Sequence, residues 1–327
     1  MTISYRTVLY RTVARFAPAV LLASSLVIGS AHAADKIQIG LSTKAWFPSF
    51  VAQLTQQQGF FKAEGVDAQL TVYQSGSEAF TAIAAGAADV ISSNPSIVAN
   101  GRAAGVKARL VALLATHNFG WQIMVPKNSP IKQPKDLAGK KVGITAAGSN
   151  TDLLAGWAKK RYGVDFETIP LGGGGLVPNL ISGNVSAIVV YPPLSYQVAL
   201  EGNGDVLVDF SKEMPAHFEA GWAASEAYIS DQPATLRKAM KAMLRGVEYI
   251  KKNPDKVIPM IAKYDGIPEA VAKVEYESTF LHLSKDGKVT KQLVEQSLDI
   301  YGRKAKGQEI DPDALFSDKF TPAAGMN

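Results

Sequence analysis

The chain has 327 residues, of which 47% are hydrophobic and 19% charged, with no cysteine and a formal charge of +5. The missing cysteines exclude disulfides, thiolate zinc sites and a cysteine nucleophile together. The length is generous for one core and comfortable for two domains.

Residues 1–33 read as a secretory leader, with Arg6, Arg11 and Arg15 as a basic start and an apolar run over 17–28. Ala31-His32-Ala33 is an A-x-A cleavage site, and the apolar run is shorter than a membrane span needs. Cleavage near Ala33 would place the protein in the periplasm. It also removes three arginines and no acid, leaving basic residues nearly balanced by the 29 acidic ones. Nucleic-acid binding through a basic face loses its support, and no nucleic-acid partner is expected.

Strands and helices then alternate. Strands are expected over 36–41, 68–73, 88–92 and 108–115, with helices over 48–58, 77–85 and 95–104 between them. After 122–126 the pattern restarts: strand 141–145, helix 150–162, strand 168–170, a helix beyond the glycines, strand 186–190 and helix 192–200. Short strands at 206–208 and 220–224 close this half. Helices over 231–252, 254–264, 268–281 and 290–302 follow, three of them opened by Pro233, Pro254 and Pro268. Such alternation predicts two α/β lobes joined by two crossings, placed at 124–126 and 220–224, with a helical C-terminal extension. Ligands of open α/β sheets bind beyond the carboxyl ends of strands, so the lobes should share a cleft.

Two segments repeat one architecture. In 141–151 a strand runs through Gly148 into Ser149, Asn150 and Thr151 at a helix start, and in 88–96 another runs into Ser93 and Asn94. A helix start offers amides without intrahelical acceptors and suits an anionic or polar ligand, although Ser149 or Asn150 could serve only as an N-cap.

Several motifs resemble the nitrate/sulfonate/taurine group of ABC-transporter substrate-binding proteins. GFFKAEGVD (59–67) is similar to its "GYF-K-EGLDV" segment, and AGAADV (85–90) to "L-x-x-G-x-x-D". NSPIKQPKDLAGKKVGI (128–144) resembles its most specific element, "S-x-I-K-x-x-x-D-L-K-G-K-K-V-G". GNVSA (183–187) and ASEAYI (224–229) continue the series, with Ser186 where an acid is usual and Tyr191-Pro192-Pro193 where "W-x-P" is usual.

The resemblance implies a type II periplasmic-binding fold: two lobes, each a mixed sheet flanked by helices. Lobe I would comprise 34–124 and 223–327, and lobe II 125–222. It also implies a monomer that captures a small organic solute, sulfonate- or carboxylate-like, and delivers it to a membrane permease. In this group the loop holding Trp46 and Phe47 enters the cleft. Tyr191 at a strand end, Asn118 in a loop and Trp222 at a crossing complete the expected ligand set. A ligand-sensing protein or an exported enzyme on the same fold is the alternative. No nucleophile–base pair, metal-ligand spacing or cofactor motif emerges, and Gly172–Gly175 lacks the Lys-Ser/Thr of a phosphate loop. Those glycines instead suit a close backbone approach to the cleft or the absorption of domain motion.

Overall fold

The computed structural model describes residues 1–2, 34–305 and 307–321; the expected leader lies outside the described residues. The first half holds β1 (Asp35–Leu41), α1 (Phe47–Gln57), α2 (Phe60–Ala63), β2 (Val66–Val72), α3 (Gly76–Ala84), β3 (Val90–Ser93), α4 (Pro95–Ala103) and β4 (Ala108–Ala115). Next come β5 (Gln122–Pro126), β6 (Lys141–Ile144), α5 (Asn150–Tyr162), β7 (Glu167–Pro170), α6 (Leu176–Ile181), β8 (Ala187–Val190), α7 (Leu194–Leu200) and β9 (Gly204–Asp209). The remainder is α8 (Phe210–Glu213), β10 (Ala220–Ser225), α9 (Glu226–Asp231), α10 (Pro233–Lys252), α11 (Pro254–Asp265), α12 (Glu269–Ser278), α13 (Lys291–Tyr301), and the two-residue strands β11 (Lys304–Ala305) and β12 (Gln308–Glu309).

The strands form two five-stranded mixed sheets of matching topology, ordered β2-β1-β3-β10-β4 and β7-β6-β8-β5-β9. In each, the fourth strand runs antiparallel to both neighbours while the first three are parallel. The fold is therefore the two-lobed, type II arrangement with a helical C-terminal extension. Among the described residues no helix is long and apolar enough to cross a membrane.

All of β5 pairs in the second sheet and all of β10 in the first. The passages between sheets are thus 116–121 and 210–219, a few residues away from the expected 124–126 and 220–224. Both expected segments are apolar runs whose backbone groups complete a ladder, which a crossing would leave unpaired. The passages run side by side: the amides of His217, Glu219 and Phe210 donate to the carbonyls of Thr116, Ala115 and Trp121 at 2.9, 3.0 and 3.0 Å.

Capping residues explain the helix starts. Ser75, Asn94, Ser225 and Thr290 each accept from the amide three residues on. The expected 231–252 helix is α10, starting two residues later at Pro233, and a separate short helix, α9, ends just before it because Pro233 cannot supply an amide to the preceding turn. Helix α10 buries Leu236, Ala239, Met240, Met243, Val247 and Ile250 along one stripe, the 3.6-residue period of a core-facing helix. Gly246 lies on that stripe, and a Cβ there would come within 2.1 Å of Thr55 Oγ1 on α1. Side-chain absence is what lets α1 and α10 approach.

Candidate functional site

Strand β1 delivers Ser42 and Thr43, both buried, to the edge of the first sheet. Ser42 is fastened to the end of β3: its amide donates to Ser92 Oγ at 3.1 Å and its hydroxyl to Ser92 O at 2.9 Å. The loop so anchored turns Trp46 inward, edge-on to Trp121 with centroids 6.1 Å apart. Phe47 packs on Trp46 at 5.5 Å within the core and does not line the cavity described below.

At the end of β3, Asn94 caps α4 by accepting from the Ile97 amide at 3.0 Å. Its Nδ2 reaches the other lobe and donates to Asn150 Oδ1 at 2.9 Å. Ser93 and Ser96 flank it with buried hydroxyls that have no hydrogen-bond partner. At the end of β6 the pattern is denser. The Thr145 amide donates to Thr151 Oγ1 at 2.8 Å, the Thr145 hydroxyl to Ser149 Oγ at 2.8 Å, and the Ser149 and Thr151 hydroxyls meet at 2.8 Å. The Gly148 amide donates to Asp152 Oδ2 at 2.9 Å, so Gly148 is engaged within its own turn. Asn150 keeps an unpartnered Nδ2.

Between these two helix starts lies a cavity of about 30 Å³, bounded by Thr43, Trp46 and Ile97 from the first lobe and Thr145, Ser149, Asn150, Thr151 and Tyr191 from the second, with Trp121 beside them. That is the scale of one water molecule. Tyr191 immediately follows β8 and leans on Trp121, centroids 5.2 Å apart. Burial pushes its phenol up to about 12, against the pull of the nearby Thr43 hydroxyl. Gly173 closes the roof: its amide donates to Gln74 O of the first lobe at 3.1 Å, and a Cβ there would stand 2.7 Å from Tyr191 OH. This is the close backbone approach expected of the glycine run.

Five of the expected residues, Trp46, Ser149, Asn150, Thr151 and Tyr191, line this cavity, and Ser93 and Asn94 border it through the Asn94–Asn150 bond. Trp222 is a buried core residue of β10 paired with Ser92 and Ala112, away from the cavity lining. Asn118 sits behind Trp121, where its buried amide faces Tyr301. Thr43, Thr145, Gly173 and the wall residue Trp121 were absent from the expected set. Thr145 joins through contacts only four and six residues away, and Gly173 belongs to the glycine run already expected near the cleft. Thr43 and Trp121 reach the site through contacts distant in sequence.

Two buried acidic regions adjoin the cleft. Asp265 lies near the Tyr191 phenol, and Glu275 lies near Asp265 and the Tyr196 phenol. Burial pushes Asp265 up to about 7, restrained by the Lys44 ammonium. Burial and the Asp265 charge together hold Glu275 well above the carboxylate range. Lys44, the nearest cation to the cleft loop, is exposed and lies 5.7 Å from the centre of the Tyr264 ring. Among the described residues that line the cavity there is no lysine or arginine. The second region, at the passages between lobes, holds Glu219 and His217, whose imidazole burial drives down to about 4.

The family model described as NMT1/THI5 like matches residues 47–257. A solved structure from Bordetella bronchiseptica RB50 superposes with a TM-score of 0.75 at 27% identity, over 87% of this chain and 95% of that one. The alkanesulfonate-binding protein SsuA from Xanthomonas axonopodis pv. citri, bound to MOPS, gives a TM-score of 0.71 at 18% identity, over 81% and 92%. The formylaminopyrimidine-binding protein of Halalkalibacterium halodurans is 24% identical over 252 residues, 73% of this chain and 75% of its own.

Proposed function

Since the chain belongs to the NMT1/THI5-like family, we propose that it captures a small organic solute between its lobes and hands it to the permease of an ABC importer. The observation that carries this reading is the pair of facing helix starts, one from each lobe, joined by Asn94 and Asn150 at 2.9 Å. A cavity of about 30 Å³ is too small for an organic acid, so entry requires the lobes to part. The hinge would be the paired passages 116–121 and 210–219, with lobe I drawn from 34–115 and 220–327 and lobe II from 122–209. These bounds lie a few residues from the expected 34–124 with 223–327 and 125–222. The leader would place the protein in the periplasm, as a monomer.

For the solute we propose a sulfonate- or carboxylate-like acid. Its oxygens would meet Asn150 Nδ2, the first-turn amides of α5 and the free hydroxyls of Ser93 and Ser96. With no cation lining the cavity, these neutral donors and the α5 dipole supply the attraction. The rings of Trp46, Trp121 and Tyr191 would enclose the solute's body. A planar nitrogen heterocycle is the second reading, favoured by this aromatic trio and by the pyrimidine binder among the relatives.

A thermal-shift panel of methanesulfonate, benzenesulfonate, benzoate, nitrate and an aminopyrimidine separates the readings. A true solute at 100-fold excess over its Kd adds about 2.7 kcal/mol, a rise of several degrees in Tm. The same compound should compact the protein in small-angle scattering, the signature of hinge closure. A panel that moves neither stability nor shape overturns capture. A response to the aminopyrimidine alone overturns the acid.

A further inference from the structure

Five side chains that line the cavity hold buried polar atoms without a hydrogen-bond partner: Thr43 Oγ1, Trp46 Nε1, Trp121 Nε1, Asn150 Nδ2 and Tyr191 OH. Each of these residues is 7% exposed or less. A buried polar group left unmatched costs free energy, so such a concentration around one cavity marks a place that a ligand's atoms complete. What those atoms must be follows from the chemistry of the five.

We propose that the site selects an acid without an amino group, and that Trp46 is a specificity-determining residue that reads a solute oxygen through its indole N–H. Three observations support this. First, two of the five atoms are indole nitrogens, which donate and cannot accept. Second, Asn150 is a donor as well, and its neighbours fix that assignment. The Ile97 amide donates to Asn94 Oδ1, so the bond between the asparagines leaves from Asn94 Nδ2 and ends on Asn150 Oδ1. Asn150 Nδ2 is what remains. Third, no aspartate or glutamate lines the cavity among the described residues, and the Thr43 and Tyr191 hydroxyls donate as readily as they accept.

An oxyanion can accept from all five groups. An ammonium finds two hydroxyls to accept from it and three N–H groups that cannot, and it would lose its hydration on entry. The donors also belong to different parts of the fold. Trp46 follows β1 in the first lobe, Asn150 and Tyr191 belong to the second, and Trp121 ends the passage 116–121. An acid seated among them is held by both lobes at once, which couples its recognition to closure. This selection rests on the solute capture proposed above, and it favours the acid over the aminopyrimidine.

The test uses isosteric pairs in which a methyl group replaces the ammonium, titrated calorimetrically into the protein. They are propane-1-sulfonate with 2-aminoethanesulfonate, butanoate with 3-aminopropanoate, and 4-ethylbenzoate with 4-(aminomethyl)benzoate. In each pair that binds, the amine-free acid should be tighter by about tenfold or more. W46F keeps a ring and loses the N–H. It should weaken the acid about tenfold and the amine little, narrowing the gap, whereas general damage to the fold weakens both alike. If W46F does not fold, the wild-type indole protons serve instead, with Trp46 identified by elimination using W121F, W157F and W222F. Its signal should move downfield when the acid is added. An amine that binds as tightly as its partner, a gap that W46F leaves unchanged, or an unmoved Trp46 proton overturns the selection and leaves capture standing. Silence from all six compounds, repeated in the thermal-shift panel, overturns capture and the selection with it.

Discussion

The starts of α4 and α5 look alike in sequence, each a strand running into serine and asparagine, yet they differ in how their hydroxyls are used. At α5 the hydroxyls of Thr145, Ser149 and Thr151 bond one another and the Thr145 amide, forming a closed network. At α4 the Ser93 and Ser96 hydroxyls are buried with nothing to bond, while Asn94 alone does the capping. One start is therefore a rigid block that holds its shape, and the other carries groups that await a partner. A run of small polar residues at a helix N-terminus can build a wall or contact a solute, and the hydrogen-bond count tells which.

The steepest expected effect is a control outside both starts. Asp265 has a folded pKa near 7, above the unfolded value of about 3.9, so folding favours its protonated form. Its penalty is absent below about pH 4 and grows as pH rises to about 7. His217 works in the opposite sense. Its folded pKa near 4 lies below the unfolded value of about 6.5, so stability is lost as pH falls between them. Urea unfolding from pH 4 to 8 should show a shallower decline toward neutrality in D265N, the remainder coming from the buried Glu275 and Glu219. H217Q should show a shallower acid loss, the remainder coming from ion-paired carboxylates such as Glu226. Variants at the two helix starts should leave both slopes intact.

Within the comparison, Thr151→Ala is expected to cost the most. It strands the buried Thr145 amide and breaks the hydroxyl network, worth about 2–3 kcal/mol in urea unfolding. Gly173→Ala should follow at about 1–3 kcal/mol, since its Cβ would press on Tyr191 OH and Thr43 Cγ2. Its particular signature is a larger radius of gyration, because the Gly173–Gln74 contact spans the lobes. Asn150→Ala removes a single bond between lobes, about 1 kcal/mol, and should expand the scattering profile less. Ser93→Ala should change stability by under about 1 kcal/mol, because no bond is lost. It should instead weaken whichever solute the thermal-shift panel identifies. A Ser93→Ala penalty equal to that of Thr151→Ala would erase the distinction between the two starts.

Much of the fold was legible because its signals are local. Strand-to-helix alternation, the Ser75, Asn94 and Thr290 caps, and proline at helix starts all act within a few residues. The site was legible in part for the same reason: Ser149 to Thr151 and Asn94 announce helix starts wherever they occur. Trp222, expected at a crossing either to pack the hinge or to meet the ligand, does neither, because β10 inserts it between β3 and β4. Phe47 misled because it adjoins Trp46, yet consecutive residues at a helix start point to different sides. Trp121's place beside Trp46 and Tyr191 was not legible, since its ring contacts join segments 75 and 70 residues apart.

The sequence by itself determined two α/β halves, a helical tail and two polar helix starts, because period and capping are properties of neighbouring residues. Only the tertiary structure decided that those starts face each other, through an Asn94–Asn150 bond between residues 56 apart. It also decided which hydroxyls remain free and which acids are buried. Those outcomes depend on solvent exclusion and on partners brought together from distant segments, and neither is written in any short stretch of chain.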